Sequence, residues 1–203
     1  MALIIYGSPR SRTMRTLWAA EELGLDYELR LMEWDDPGLK APAFLALNPA
    51  GNIPVIVDDG FALSESLAIN LYLARKYGAA GESALNPEGA EVEAQAWRWT
   101  LWAQGQLEPW VQRDILWREA LTPIQEAAAP LLDRALDLLD CELSGRPWLV
   151  ADRFTVADLN VAAVLSPSRA HELNLAGRPA VQDWLTRCYG RPAARAVRAR
   201  YAS

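Results

Sequence analysis

The chain has 203 residues, 51% of them apolar, with 26 acidic against 20 basic side chains and a formal net charge of −6. That length holds one large domain or two small ones around adequate cores, and the composition is that of a soluble globular protein. The acidic balance argues against a nucleic-acid partner or an anionic membrane surface, so the five arginines between Arg187 and Arg200 read as a solvated helix face.

In chain order, Ala2 to Tyr6 is a first strand, with no basic region and apolar core of a secretory leader ahead of it. Gly7-Ser8-Pro9-Arg10-Ser11 is a loop. A helix then runs to about Leu23, with Met14, Leu17, Trp18 and Glu21 at helical spacing and Gly24 as its stop. Asp26 to Met32 reads as a second strand, Glu33 to Lys40 as polar and irregular, and Ala41 to Leu47 as a short helix.

Asn48 to Gly78 is the most informative stretch. Asn-Pro-Ala-Gly-Asn is a turn, Val55-Ile56-Val57 a short apolar strand, Asp58-Asp59-Gly60 a tight hairpin, and Phe61-Ala62-Leu63 its returning strand. Glu65 to Tyr77 follows as a helix with Leu67, Leu71 and Tyr72 near one face, stopped by Gly78. A cis Ile53-Pro54 bond here would leave the Ile53 amide and carbonyl open to an extended ligand. Ser64-Glu65-Ser66 stands at a helix N-terminus, where unpaired amides and the helix dipole favour a carboxylate. With Glu65 as the opposite charge, the pair suits an α-amino acid head group. The plain structural alternative is that Ser64 caps the helix and Glu65 is an ordinary first-turn acid.

Ala79 to Pro87 reads as a linker, and beyond it strand patterns vanish. Glu88 to about Trp117 is helical and rich in tryptophan. Ile124 to Leu143 carries Leu132, Leu136, Leu139 and Leu143 on one face. Thr155 and Asp158 form a capping box with Phe154 as its staple, and Val181–Tyr189 and Ala193–Ala199 complete an all-helical part. Cys141 and Cys188, each in a helical pattern, read as buried thiols in a reducing cytoplasm. The single histidine, His171, leaves no histidine-cluster metal site and reads as a surface or packing residue. No apolar run reaches the roughly 18 residues that a membrane span needs. Domains are expected at 1–78 and 88–203, with 79–87 between them: an α/β domain with a mixed sheet, then an all-α domain.

The order Asn-Pro, Gly-x-x-Pro, Asp-Gly, Glu-Ser-x-Ala-Ile and Tyr-Leu between Asn48 and Leu73 resembles the glutathione-binding half of the cytosolic glutathione S-transferases. The resemblance implies a thioredoxin-like N-terminal domain, a helical C-terminal domain, a homodimer, and a cytoplasmic enzyme with glutathione as co-substrate and no metal or other cofactor. Gly7 to Ser11, followed by Arg15, is similar to the serine-type branches, which makes Ser11 the donor to the glutathione thiolate, with Ser8 and Thr13 as alternatives. Ile53 matches the position whose backbone pairs with the cysteinyl part, Pro54 the cis-proline beside it, and Glu65 and Ser66 the pair that holds the γ-glutamyl group. Asn52 falls where many members carry lysine or glutamine for the glycyl carboxylate, a departure that implies either a weaker contact there or one supplied by another residue such as Lys40. Trp99 and Trp102, with Arg98 or Arg113 nearby, are expected to line a pocket for a flat apolar electrophile between the domains, although tryptophans at helical spacing are also ordinary core residues. The expected activity is conjugation of glutathione to a small electrophile, with peroxide reduction as a side activity. A non-catalytic binding scaffold and a glutathione-dependent isomerase or dehalogenase are the alternatives. The loop lacks cysteine, so disulfide exchange by the protein's own thiols is not expected there.

Overall fold

The computed structural model describes residues 3–78, 84–111, 122–166 and 173–201, without the side chains of 122–128. In chain order its elements are β1 (Leu3–Gly7), α1 (Thr13–Glu22), β2 (Tyr27–Leu31), a 3-10 turn (Pro37–Lys40), α2 (Pro42–Leu45), β3 (Val55–Asp58), β4 (Phe61–Ser64) and α3 (Ser66–Tyr77). Then follow α4 (Ala90–Trp102), a π-helical turn (Ala103–Leu107), α5 (Thr122–Leu143), α6 (Val156–Leu165), α7 (Pro179–Gly190) and α8 (Pro192–Arg200). They group into two compact units, Met1–Asn86 with Pro192–Ser203, and Pro87–Arg191. His171, Arg113 and Trp117, and linker residues 79–83, lie outside the described residues.

The first unit is a thioredoxin-like α/β domain. Its four strands form one mixed sheet in the order β2-β1-β3-β4. β1 and β2 run parallel, joined by α1 as a crossover, while β3 is antiparallel to both β1 and β4. Leu3 and Ile5 of β1 point into the core, where Val55 and Ile56 of β3 are also fully enclosed. The β3–β4 hairpin turns at Asp59 and Gly60, both at positive φ (48° and 89°), as a two-residue turn matched to strand twist requires.

α3 buries a different face from the one its leucine spacing suggested. Leu67 is enclosed as expected, but Leu71 and Tyr72 are only half-buried, and Ile69, Leu73 and Ala74 fill the interface, with α1 packing against α3. Tyr72 is instead held by its hydroxyl. It donates to Asp58 Oδ2 at 2.8 Å, Lys76 Nζ reaches the same oxygen at 2.8 Å, and the Tyr77 hydroxyl reaches Oδ1 at 2.8 Å. Burial pushes the Asp58 carboxyl up, but the hydrogen bonds from Lys76, Tyr72 and Tyr77 outweigh it and hold it below the usual carboxylate range.

The sequence reading placed 88–203 in one helical domain; in the structure α8 packs on α1, in the first unit. The reason is a matched pair of faces. Ala194 and Val197 are buried, and the Arg200 guanidinium meets the Glu21 carboxylate and, at 3.2 Å, the Tyr27 hydroxyl. Tyr27 also contacts the Tyr201 hydroxyl at 3.1 Å, and burial followed by that contact raises its pKa.

The second unit is all-helical and built around α6. Every residue of α6 is buried, from Val156 to Leu165, as an apolar helix with no polar face must be. α4 and α7 pack against it, and α5 packs on α7, burying Leu132, Leu136, Leu139 and Leu143. The expected capping box is present: the Thr155 amide donates to Asp158 Oδ2 at 3.0 Å and the Thr155 side chain caps the first turn. Asp158 does more than close the box, because its other oxygen accepts from the Leu149 amide and from Trp184 Nε1, both at 2.9 Å. Burial outweighs these bonds and pushes its carboxyl up to about 6. A second buried tie joins Asn160 Nδ2 of α6 to Thr100 Oγ1 of α4 at 3.1 Å. Several of the C-terminal arginines, expected as a solvated face, are engaged. Arg187 lies over the Trp148 ring and Arg191 over that of Phe154, 5.7 and 4.0 Å from the centroids. Cys141 is exposed rather than buried, Cys188 is buried, and both are free thiols.

Candidate functional site

Strand register brings the predicted site segments of the first unit together. Tyr6 of β1 pairs with Val55 of β3, and Val55 in turn with Ser64 of β4. Because both pairings are antiparallel, the residues after Tyr6, before Val55 and after Ser64 emerge at one end of the sheet. Those residues are the Gly7–Arg12 loop, Asn52-Ile53-Pro54, and Glu65-Ser66. The parallel pair Gly7–Leu31 adds the segment after β2, where Met32 N–H donates to Gly7 O at 3.3 Å.

The loop after β1 is organised by Ser8. It is almost fully buried; its hydroxyl donates to Glu33 Oε1 at 3.0 Å and accepts the Arg10 amide at 3.2 Å. The Ser8 carbonyl accepts both the Ser11 amide at 2.9 Å and the Ser11 hydroxyl at 2.7 Å. Ser11 stands two residues before α1, whose N-cap is Arg12, and accepts the Thr13 amide at 3.2 Å, so it also serves the helix start. Of the three hydroxyl candidates, Ser8 and Thr13 are enclosed (1% and 0% exposed) and Ser11 alone is half-exposed. Arg15, one turn into α1, is buried.

The second segment is a built turn. Asn48 Nδ2 donates to Asn52 O at 2.8 Å, and Asn48 O accepts the Gly51 amide at 2.9 Å. Gly51 has φ +61°, and a Cβ there would lie 2.7 Å from Lys40 Nζ and 2.9 Å from Leu39 O, so glycine is required on both counts. Lys40 Nζ reaches Gly51 O at 3.4 Å, which sets this cation beside Asn52. The Ile53-Pro54 bond is cis. Ile53 packs on the cluster of Leu39, Phe44 and Val55, and among the described residues no hydrogen bond engages its backbone amide or carbonyl.

The third segment is the start of α3. Glu65 is the N-cap at φ 72°, ψ 103°, a conformation that costs a non-glycine residue of order 1–3 kcal/mol and is held by its surroundings. Its carbonyl accepts the Ile69 amide at 2.8 Å while its side chain is exposed, and Ser66, the first helical residue, is buried.

Trp99 and Trp102 belong to the second unit. Trp99 is core, 1% exposed, with Trp102 against it edge-on at 5.1 Å and the Arg98 guanidinium 4.7 Å from its ring centroid. Trp102 is half-exposed. The role of Glu33 in fixing Ser8 was not read from the sequence, where it lies in an irregular stretch; the parallel register of β1 and β2 is what brings it there. Among the described residues no group of histidine, cysteine or acidic side chains could hold a metal ion, and no helix is long and apolar enough to cross a membrane.

Residues 1–75 match the family model "Glutathione S-transferase, N-terminal domain" and residues 101–192 "Glutathione S-transferase, C-terminal domain". The chain is 31% identical over 201 residues to glutathione S-transferase 3 of Zea mays, covering 94% of this chain and 90% of that one. It is 32% identical over 206 residues to the Escherichia coli K12 glutathione S-transferase GstB, covering 96% and 97%. A crystal structure of a glutathione S-transferase from Pseudomonas fluorescens superposes with a TM-score of 0.81 at 27% identity, covering 94% of this chain and 96% of that one. The matched residues run through both units. On that ground the chain belongs to the glutathione S-transferase family.

Proposed function

We propose that the first unit binds glutathione at this end of its sheet, stabilises the thiolate, and that the protein conjugates it to a small apolar electrophile. The observation that carries this reading is the convergence, by strand register, of a half-exposed serine hydroxyl, an unengaged backbone amide and carbonyl at Ile53, and an acid at a helix N-terminus. A free thiol has a pKa near 8.5 and is only a few per cent ionised at pH 7; each unit of depression corresponds to about 1.4 kcal/mol in favour of the thiolate. Ser11 supplies the hydroxyl donor to sulfur, and the first turn of α1 adds the positive end of its dipole. Ile53 pairs with the cysteinyl backbone, Glu65 takes the γ-glutamyl ammonium, and the Ser66 end of α3 takes its carboxylate. Asn52 flanks the glycyl end, where Lys40, held at Gly51 O, provides the charge that asparagine lacks.

In the second unit, the half-exposed ring of Trp102 is the surface offered to a flat electrophile, with Trp99 supporting it edge-on from the core. The exposed side chains of Phe61, Trp97 and Leu101 support a homodimer, and the free thiols Cys141 and Cys188 support a reducing cytoplasm. The bound thiolate would also reduce peroxides. A second reading, a non-catalytic binding scaffold, draws on one feature: the Ser11 proton is directed at the Ser8 carbonyl rather than outward. Calorimetric titration with glutathione, together with ultraviolet difference absorbance for thiolate, separates the two. Saturable binding with a thiolate band at neutral pH supports the transferase. Binding without the band favours the scaffold, and no binding at millimolar glutathione overturns both. Once an electrophile turns over, glutathione consumed in proportion to product marks conjugation, and glutathione returned unchanged marks an isomerase.

A further inference from the structure

The hydroxyl groups of the β1–α1 loop can be assigned as donors and acceptors by counting protons. Ser11 has one, and the Ser8 carbonyl 2.7 Å away can only accept, so the Ser11 proton lies between them. The remaining contacts to Ser11 Oγ are the Thr13 amide at 3.2 Å and the Thr13 hydroxyl at 2.8 Å. With the Ser11 proton already used, the Thr13 hydroxyl must be the donor. One serine oxygen thus receives two hydrogen bonds from one threonine. Thr13 is fully enclosed, and the room for its hydroxyl is made by Gly7, where a Cβ would lie 2.0 Å from Thr13 Oγ1 at a backbone φ of +145°.

We propose that Thr13 is a positioning residue for Ser11: its hydroxyl anchors Ser11 Oγ through one lone pair while the single O–H turns from the Ser8 carbonyl to the sulfur of bound glutathione. This rests on the glutathione reading given above. The turn keeps the Thr13 hydroxyl bond at 2.8 Å and gives up the longer Thr13 amide contact at 3.2 Å, a helix-start donor then open to water or ligand, while the Ser8 carbonyl keeps the Ser11 amide at 2.9 Å. When the thiol ionises its proton passes to solvent water, and the Ser11 O–H then donates to the resulting anion. A hydroxyl whose oxygen accepts a hydrogen bond is a stronger donor in its own, so the Thr13 hydroxyl deepens the thiolate stabilisation without touching the ligand. The charged residues at this end of the sheet are Arg10, Arg12 and Arg15 of the loop and first turn of α1, Glu33 bonded to Ser8, Lys40 and Glu65, and a change at Thr13 removes none of these charges.

The test is the thiol pKa of glutathione bound to the parent protein, Thr13→Val and Thr13→Ser, followed by ultraviolet difference absorbance, with kcat and KM for an activated chloroarene. The expected result for Thr13→Val is a rise of about 0.5–1 pH unit in the bound thiol pKa. Below that pKa kcat should fall about three- to tenfold, while the glutathione dissociation constant stays within about twofold. Thr13→Ser, which keeps the hydroxyl, should match the parent. A Thr13→Val protein with the parental thiol pKa, or a Thr13→Ser protein as impaired as Thr13→Val, overturns the inference and leaves the glutathione site standing. A parent protein that binds glutathione without thiolate overturns the transferase reading and the inference together, and one that binds no glutathione overturns the site as well. Should Thr13→Val not fold, Thr13→Ala removes the same hydroxyl with no added bulk and is read the same way.

Discussion

Ser11 is where the proposed chemistry meets the fold most closely, since one hydroxyl serves the loop, the start of α1 and the bound sulfur. Ser11→Ala removes the donor and frees the Ser8 carbonyl of one of its two partners, while that carbonyl keeps the Ser11 amide. Turnover is expected to fall by about ten- to a hundredfold, the loss of about 1.4–3 kcal/mol of charge-assisted hydrogen bonding. Glutathione affinity should change little. Steady-state kinetics beside a binding titration decides it, and unchanged turnover removes Ser11 from the role. The residues of this site stand out in the sequence because each is beside punctuation: Ser11 after Gly-x-Pro, Ile53 before a proline, Glu65 and Ser66 where a strand gives way to a helix. What one-dimensional reading could not supply is their mutual bonding. Neither the Ser8–Glu33 contact, 25 residues apart in the chain, nor the Thr13 hydroxyl behind Ser11 leaves a trace in spacing or hydrophobic period.

At the scale of elements, two buried carboxylates tie neighbours together. Asp58 joins the end of β3 to the last two turns of α3, and its pKa is held below the usual range. A carboxyl lowered in the folded state contributes stability above its unfolded value of about 4 and loses it as pH falls through the folded value. Asp58→Asn should therefore be less stable than the parent at pH 7, by about 1–3 kcal/mol, and the difference should shrink as pH falls below about 4. Urea unfolding at several pH values measures it; a gap that does not change with pH assigns the loss to packing instead. Asp158 faces only donors, from Leu149, Thr155 and Trp184, so Asp158→Asn would turn an amide N–H toward an N–H. That change should cost about 2–4 kcal/mol in the same assay. A loss below 1 kcal/mol would mean that the capping box is dispensable. The box was legible because capping signals are local, three residues apart. Its extension to Trp184, 26 residues on, was not. On α3 the sequence sets Leu67, Leu71 and Tyr72 near one face, but does not show that Ile69, Leu73 and Ala74 are buried beside Leu67 or that the Tyr72 and Tyr77 hydroxyls reach Asp58.

For the whole molecule, fold class and family followed from the order of strands and helices and from the Asn48–Leu73 motif, but the assignment of the last helix did not. Periodicity shows that 193–199 is helical and says nothing of which surface it covers. In the structure α8 covers α1. Ending the chain at Arg191 should expose that face of α1 and remove the buried Ala194 and Val197, lowering the thermal midpoint by several degrees. Arg200→Ala alone should lower it much less, because the guanidinium is half in solvent. Equal effects from the two changes would place the stabilisation in the ion pair rather than in the apolar contact. The return of α8 to the first unit also bears on the order in which the protein is made. Residues 3–78 leave the ribosome well before the helix that covers α1, and all of 87–191 is synthesised in between. The unit that carries the candidate glutathione site is therefore begun before the helical unit and completed after it. During synthesis its exposed α1 face is a nascent surface waiting on the turns of α8.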